Sequence, residues 1–405
     1  MLRVGEIREF IRTHGHLAYL DLQRRLLEGT TLENGAKYKQ RPEDFSIRAL
    51  WEGLVGPIEE TLQFGQGRIG WIETPRQLEE AVSSTAFPSA TGQLIASKVI
   101  EGYNAPGYIG DQLVTVMSST QRGERIAGFT SLQGPLEVKE GDSYEESSFA
   151  EKYVTTTEAK KGRILAVTEE AVIFDQTGQL LMRAAQLGEM TRMEKEKVIV
   201  RGVADVASTV RVYRPSGTAE QLYASGNSNY LSTATPLVDW TDIQEVMTFH
   251  ATNITDDRQD DESGSGDPIV WLPRILLTAL ELAGTSARIV SATQVGTAPG
   301  ATGTADMLTA NPLNTLISGG LRALSSPFLD AAAGADQWDD ASDWLLGDFQ
   351  KQFIWKEIFP LQVLRAPQND NEQFVRDIVA RYKVRYYGGL NAIDERYVIK
   401  VNAVT

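Results

Sequence analysis

Apolar positions recur at helical spacing in several parts of this chain and give way to strand-like alternation between them. From residue 4 to 27, Val4, Ile7, Phe10, Ile11, Leu17, Leu20, Leu26 and Leu27 stand among charges, with Gly29 as a stop signal. Ser46 opens a second predicted helix, striped by Ile47, Leu50, Trp51, Leu54, Ile58 and Leu62. Beyond Pro88 and Gly92, a third carries Leu94, Ile95, Val99 and Ile100, and Gly102 and Asn104 help to end it.

Between residues 111 and 168 the period changes. DQLVTVMSS and RIAGFTSL read as strands, and FAEKYVTTTE and RILAVTE are rich in β-branched and aromatic residues. The intervening Glu140, Gly141, Asp142, Ser143, Tyr144, Glu145 and Glu146 have turn chemistry and acidic charge, which predicts a hairpin tip reaching into solvent. A strong amphipathic helix follows, from about Asp175 to Lys197. Leu180, Leu181, Ala184, Ala185, Leu187 and Met190 make its apolar face, and Arg192, Lys195 and Lys197 gather where the helix dipole favours positive charge. Leu180, Leu181, Ala184 and Leu187 are the expected anchors of this helix in the body, and VIVRGVADV reads as a return to strand or loop.

From Thr218 to Gln373 the pattern is mixed. TDDRQDDESGSGD is an acidic loop, PIVWLPRILLTALELAG predicts a helix with Pro273 in its first turn and Gly284 at its end, and ATQVGTAPGATGTADM reads as a loop. SSPFLDAAAGADQWDDASDWLLGDF combines turn signals with aromatics, and QFIWKEIFPLQVLRAP reads as buried strands. The closing FVRDIVARYKVRYYGGLNAIDERYVIKVNA predicts a hairpin turning at Gly388-Gly389.

The 405 residues suggest two lobes plus extensions, and a 42% hydrophobic share with 23% charged residues is that of a globular chain. The absence of cysteine excludes disulfides, thiolate catalysis and thiolate zinc sites. No long apolar run suits a membrane span, and the charged N-terminus lacks a signal-peptide core, so cytoplasmic synthesis is expected. A net charge of −15 and a pI near 4.8 argue against a basic nucleic-acid grip; by themselves they read as charge that maintains solubility, and they also suit a wall that repels nucleic acid.

Candidate chemistry is sparse. FGQGRIG lacks the leading strand and the Gly-Lys-Ser/Thr of a phosphate cradle, and no Gly-x-Ser-x-Gly, His-Glu-x-x-His or Walker motif occurs. His14 and His16 point to different sides of a helix, and His250 reads as a structural histidine. The acidic runs Asp256 to Glu262 and Asp336 to Asp348 do not fit an EF-hand and read as solvated loops. No catalytic residue, cofactor or metal is therefore expected.

Four segments, AFPSATGQLIASKVIEGY, LEVKEGDSYEE, KKGRILAVTEEAVIFDQTGQLL and VRYYGGLNAIDERYVIKV, resemble a major capsid protein of tailed bacteriophages over residues 85 to 405. The resemblance implies an α+β, HK97-type capsid fold with an N-terminal arm, an extended E-loop hairpin, a peripheral P-domain with a long spine helix, and an axial A-domain. By position it implies a helical arm at 1–75, its continuation and the start of the P-domain at 76–125, and the E-loop at 126–168. The spine helix lies in 169–217, the A-domain in 218–373, and closing P-domain strands in 374–405. Residues 140–146 then become an intersubunit contact and the helix its anchor.

The partners implied are copies of the chain itself in hexamers and pentamers, then portal, scaffolding and decoration proteins, and packaged double-stranded DNA bound without sequence preference. The implied location is the virion, assembled in the bacterial cytoplasm. Some family members join an E-loop lysine to a neighbour's asparagine, but Lys139, Lys152, Lys160 and Lys161 align with no such chemistry, and the first 75 residues predict an uncleaved arm. An encapsulin-like nanocompartment shell is the alternative, with a tail or baseplate component or an enzyme of unrecognised signature behind it.

Overall fold

A run of apolar residues forms a helix or a buried strand according to what covers it, and both outcomes occur here. The computed structural model describes residues 30–31, 37–38, 94–129, 151–168, 179–213, 219–232, 236–255, 268–296, 308–317, 320–330, 338–339, 341–366 and 378–402. The predicted helices at 4–27 and 46–62, the hairpin tip at 140–146, and the acidic loop at 256–267 lie outside them. The chain is α+β and divides into two compact units, each discontinuous in sequence: Met1–Gly107 with Lys160–Glu194 and Leu361–Tyr386, and Tyr108–Ala159 with Lys195–Pro360 and Tyr387–Thr405.

The described strands are β1 (Thr30–Thr31), β2 (Lys37–Tyr38), β3 (Thr115–Ser118), β4 (Arg125–Phe129), β5 (Glu151–Thr155), β6 (Ala159–Thr168), β7 (Arg211–Tyr213), β8 (Ala219–Gln221) and β9 (Tyr230–Ser232). They continue with β10 (Ile275–Thr278), β11 (Gln294–Gly296), β12 (Leu308–Ala310), β13 (Arg322–Ser325), β14 (Trp344–Gly347), β15 (Phe353–Arg365), β16 (Ile378–Ala392) and β17 (Val398–Asn402). Four longer helices are α1 (94–103), α2 (Gln179–Val203), α3 (Trp240–Asn253) and α4 (Ala283–Ser291). Helix α2 and strands β15 and β16 contribute residues to both units.

In the first unit, Leu94, Ile95 and Val99 of α1 pack with Leu180, Leu181 and Ala184 of α2, Val167 of β6, and Ala380, Tyr382 and Val384 of β16. Leu187 is only half-buried at the margin of this core. The two helices approach at glycines: a Cβ on Gly102 would sit 2.1 Å from the Ala185 carbonyl oxygen, and one on Gly188 would sit 2.0 Å from that of Val99. Gly102 therefore lies inside α1 as a packing notch and does not end it. Met190 is 53% exposed and leaves the apolar face, because the buried stripe runs on through Gly188, Arg192 and Lys195.

In the second unit, the end of α2 corrects the strand or loop expected for VIVRGVADV. Its β-branched run stays helical to Val203 because Ile199, Val200 and Val203 fall on one face and bury fully. A five-stranded sheet in the order β13-β10-β14-β17-β9 forms the main layer. Its central strands, ILLT, WLLG and VIKV, are buried residue after residue, as strands covered on both faces are. Helices α3 and α4 cover one of these faces, where Ile243, Val246 and Ile289 cluster with Leu276, Leu346, Ile399 and Val401. Asp239 and Asp242 close a capping box at the start of α3.

Two expectations for this unit fail for the same physical reason. PRILLTALELAG was expected to be helical, but Ile275 to Thr278 form β10, and Gly284 sits in the first turn of α4. A short apolar run has no period with which to separate a buried strand from a buried helix. The closing hairpin is absent: β16 runs straight through Gly388 and Gly389, and β17 joins β14 and β9 in the five-stranded sheet. The glycines serve close approach, since a Cβ on Gly389 would meet the Thr157 carbonyl oxygen at 2.0 Å. ATQVGT, expected to be loop, holds β11, which pairs with β12.

Candidate assembly elements: the hairpin root and the long helix

The sequence pattern of two polar, β-forming segments produces an antiparallel ladder between β4 and β5, from Arg125 opposite Thr155 to Phe129 opposite Glu151. This is a two-stranded sheet by itself, an arrangement that is marginal in water without further support. The expected second arm, drawn to residue 168, stops at Thr155. Residues 159–168 form β6, which pairs with β16 instead.

What redirects the chain is a charged knot at the hairpin root, inside the second unit. Lys356, fully buried on β15, points its ammonium at Glu158 Oε1 (3.0 Å), Glu124 Oε2 (3.3 Å) and Thr156 Oγ1 (2.9 Å). Thr156 ties the two arms again, its amide and hydroxyl both donating to the Glu124 carbonyl at 3.2 and 3.0 Å. The Gly123 amide donates to Glu158 Oε2 at 3.0 Å, and the Thr157 amide to Asn391 Oδ1 at 2.9 Å. The Ser119 hydroxyl donates to Glu124 at 2.5 Å. A buried ammonium is tolerated only when paired and hydrogen-bonded, and here three oxygens surround it.

The carboxyls respond accordingly. The Ser119 hydroxyl and then the Lys356 ammonium hold Glu124 below the usual carboxylate range. Burial pushes Glu158 up, but the Thr156 hydroxyl, the Gly123 amide and Lys356 outweigh it and leave this carboxyl lowered too. Both are therefore ionised at neutral pH and the knot is closed.

The C-terminal part of α2 adds a second tether. Glu196, 2% exposed, accepts the Ile109 and Gly110 amides at 2.8 Å each and so pins the one-turn helix Gly110–Leu113 that leads into β3. Lys195 lies 5.1 Å from the Trp355 ring centroid and 3.7 Å from Asp111. β3 in turn pairs in parallel with β15, Lys356 facing Met117 in register. The residues before the hairpin and the strand bearing its buried lysine are thus fastened together.

Of the residues expected to matter, Leu180, Leu181 and Ala184 are core, Leu187 is marginal, and Glu140 to Glu146 lie outside the described residues. Pattern reading missed Lys356, Glu158, Glu124 and Glu196. A signal existed in FIWKEIF, where a lysine interrupts an apolar strand and must find a partner. Arg192 and Lys195, expected near the C-terminal end of the helix, are buried at mid-helix. His250 is structural, stacked 4.1 Å from Trp271 with Nε2 2.9 Å from the Arg396 carbonyl. The Asp336 to Asp348 run is not simply solvated, since Asp343 and Asp348 are buried. Among the described residues no cluster of His, Asp and Glu suits a metal, and no helix is long and apolar enough to cross a membrane.

No curated protein matches the chain. Among solved structures, it is similar to the capsid of a native GTA particle (11% identity, 75% of this chain and 92% of that one, TM-score 0.46). It is also similar to a virus-like particle from Pyrococcus furiosus (11%, 76% and 96%, TM-score 0.39) and to the capsid of cyanophage Pam1 (12%, 73% and 93%, TM-score 0.43). The model of the phage capsid protein family matches residues 152–401, from the second arm of the hairpin to the last strand. That match spans more than half of the sequence, and the chain therefore belongs to the phage capsid protein family.

Proposed function

We propose that this chain is the major capsid protein of a tailed bacteriophage, of the HK97 type, which assembles through copies of itself into hexamers and pentamers of an icosahedral shell around double-stranded DNA. The single observation that carries the reading is the family match over residues 152–401. Its role is structural. The hairpin rooted at Lys356 serves as the intersubunit strap, with Glu140 to Glu146 as its gripping tip, and α2 serves as the spine that anchors it. Heterologous contacts of this kind close into rings, and rings tile a shell.

Several finer assignments go with this. Residues 1–75 form the arm. The segment 218–373, completed by β17, forms the axial domain, and α2 with β6 and the start of β16 forms the peripheral one. Portal, scaffolding and decoration proteins are further partners, and assembly occurs in the host cytoplasm. The net charge of −15 supports a wall that does not trap packaged DNA.

The test is electron microscopy of particles formed by the full chain. Closed shells with fivefold vertices are expected, and phage-derived ones should contain DNA. A homogeneous small oligomer, or open tubes without vertices, would overturn the reading.

A further inference from the structure

The C-terminus of α2 is built around an unusual residue. The Val206 amide donates to the Arg201 carbonyl and the Asp205 amide to that of Gly202, both at 3.1 Å, which makes a Schellman cap with Asp205 at its left-handed position (φ +45°). Glycine or asparagine is the ordinary occupant there, and the helix dipole disfavours an anion at this end. Asp205 is nevertheless 2% exposed. Its Oδ1 accepts the Thr209 and Val210 amides at 2.8 and 2.9 Å, and its Oδ2 is buried with no partner.

Asp205 lines a cleft of 680 Å³ within the second unit, together with Tyr223, Tyr230, Trp338, Asp339 and Lys400. Lys400 acts on it through space but makes no hydrogen bond to it. Its ammonium donates to the Ala204 carbonyl at 3.1 Å and lies 5.4 and 5.8 Å from the Trp338 and Tyr223 ring centroids. Asp343, fully buried, uses Oδ2 for the Asp339 amide and Asn402 and leaves Oδ1 without a partner. The Trp338 indole N–H is likewise buried and unpaired. Lys400, joined at Asp205 by the charge of Arg211, thus serves Asp205, Asp343 and Asp339 beside a helix C-terminus. Burial keeps the Asp205 carboxyl above its usual range in spite of two amides and the charges of Lys400 and Arg211.

We propose that this cleft binds an organic cation, a guanidinium or primary ammonium group, which donates to Asp205 Oδ2 between the aromatic walls of Tyr223, Tyr230 and Trp338. Such a group supplies the donor that Asp205 Oδ2 lacks and adds positive charge, and aromatic faces favour it. Two sources share the chemistry: a basic side chain of a second copy of this chain, or a free small cation. The binding chemistry holds independently of the shell-building role.

The test is calorimetric titration of agmatine, with uncharged n-butylurea as control, into unassembled subunits and into assembled particles. Agmatine should bind the subunits and n-butylurea should not. Asp205→Asn, which suits the left-handed backbone and keeps an amide-accepting oxygen, should weaken binding by about tenfold or more. Gln221→Arg, which places a competing cation at the same cleft, should do likewise, and thermal melts confirm that both variants fold. Binding to subunits but not to particles identifies a neighbour's side chain as the natural occupant, whereas binding to both identifies a free cation. Absence of binding to the subunits, or equal binding by wild type and both folded variants, overturns the proposal.

Discussion

Lys356 and Asp343 show how a single buried charge governs this protein. Lys356 has no exposed surface, and the Glu158 side chain is 1% exposed. Replacing the lysine with methionine strands that carboxylate, so Lys356→Met should destabilise the unassembled subunit by about 3–5 kcal/mol in chemical denaturation. Adding Glu158→Gln should recover part of the loss, and strictly additive losses would show that the two groups do not interact. Asp343 acts in the opposite sense. Burial raises its carboxyl from 3.8 to about 6, so it holds a proton in the folded state that the unfolded state releases. The stability it contributes is fully present below pH 3.8 and is lost as pH rises through 6. Asp343→Asn keeps the acceptor for the Asp339 amide and abolishes this titration. The stability of wild type relative to the variant should therefore fall by about 3 kcal/mol between pH 3.5 and 7, and parallel pH profiles would refute the assignment.

At the scale of elements, close approach matters more than propensity. Alanine at position 188 gains up to about 1 kcal/mol of helix propensity, yet its Cβ would lie 2.0 Å from the Val99 carbonyl. The packing cost of about 1–3 kcal/mol should win, so Gly188→Ala is expected to lower the melting temperature. An unchanged or raised value would mean that α1 and α2 do not meet at this glycine. The same logic explains why Gly388 and Gly389 lie within β16: they admit a neighbouring backbone where a side chain would not fit.

For the whole molecule, the proposed strap role puts the hairpin's support within one subunit at its root, where Lys356 meets Glu158 and Glu124. Deleting Glu140 to Glu146 should leave the circular dichroism and melting temperature of the isolated subunit unchanged while shells fail to form or fall apart readily. Normal, equally stable particles from the deleted chain would remove residues 140–146 from the assembly contact. A two-stranded ladder such as β4 and β5 is marginal alone, and the ion-paired root is a support it has within the subunit.

The order of strand, strand and amphipathic helix was legible from residue 125 onward, because period is a local property. So was the buried stripe of Leu180, Leu181 and Ala184, and so was the want of thiols. The family resemblance was legible in the same stretches and is carried by the match over 152–401. Tertiary structure alone decided that ILLT is a strand, that α2 continues through VIVRGV, and that the last two strands part company. Those outcomes depend on what covers each apolar run, which local pattern does not state. It also decided the charged knots, since Lys356 meets Thr156 across 200 residues and Lys400 meets Ala204 across 196. A lysine in an apolar strand announces that it needs a partner, but only the folded chain says which one.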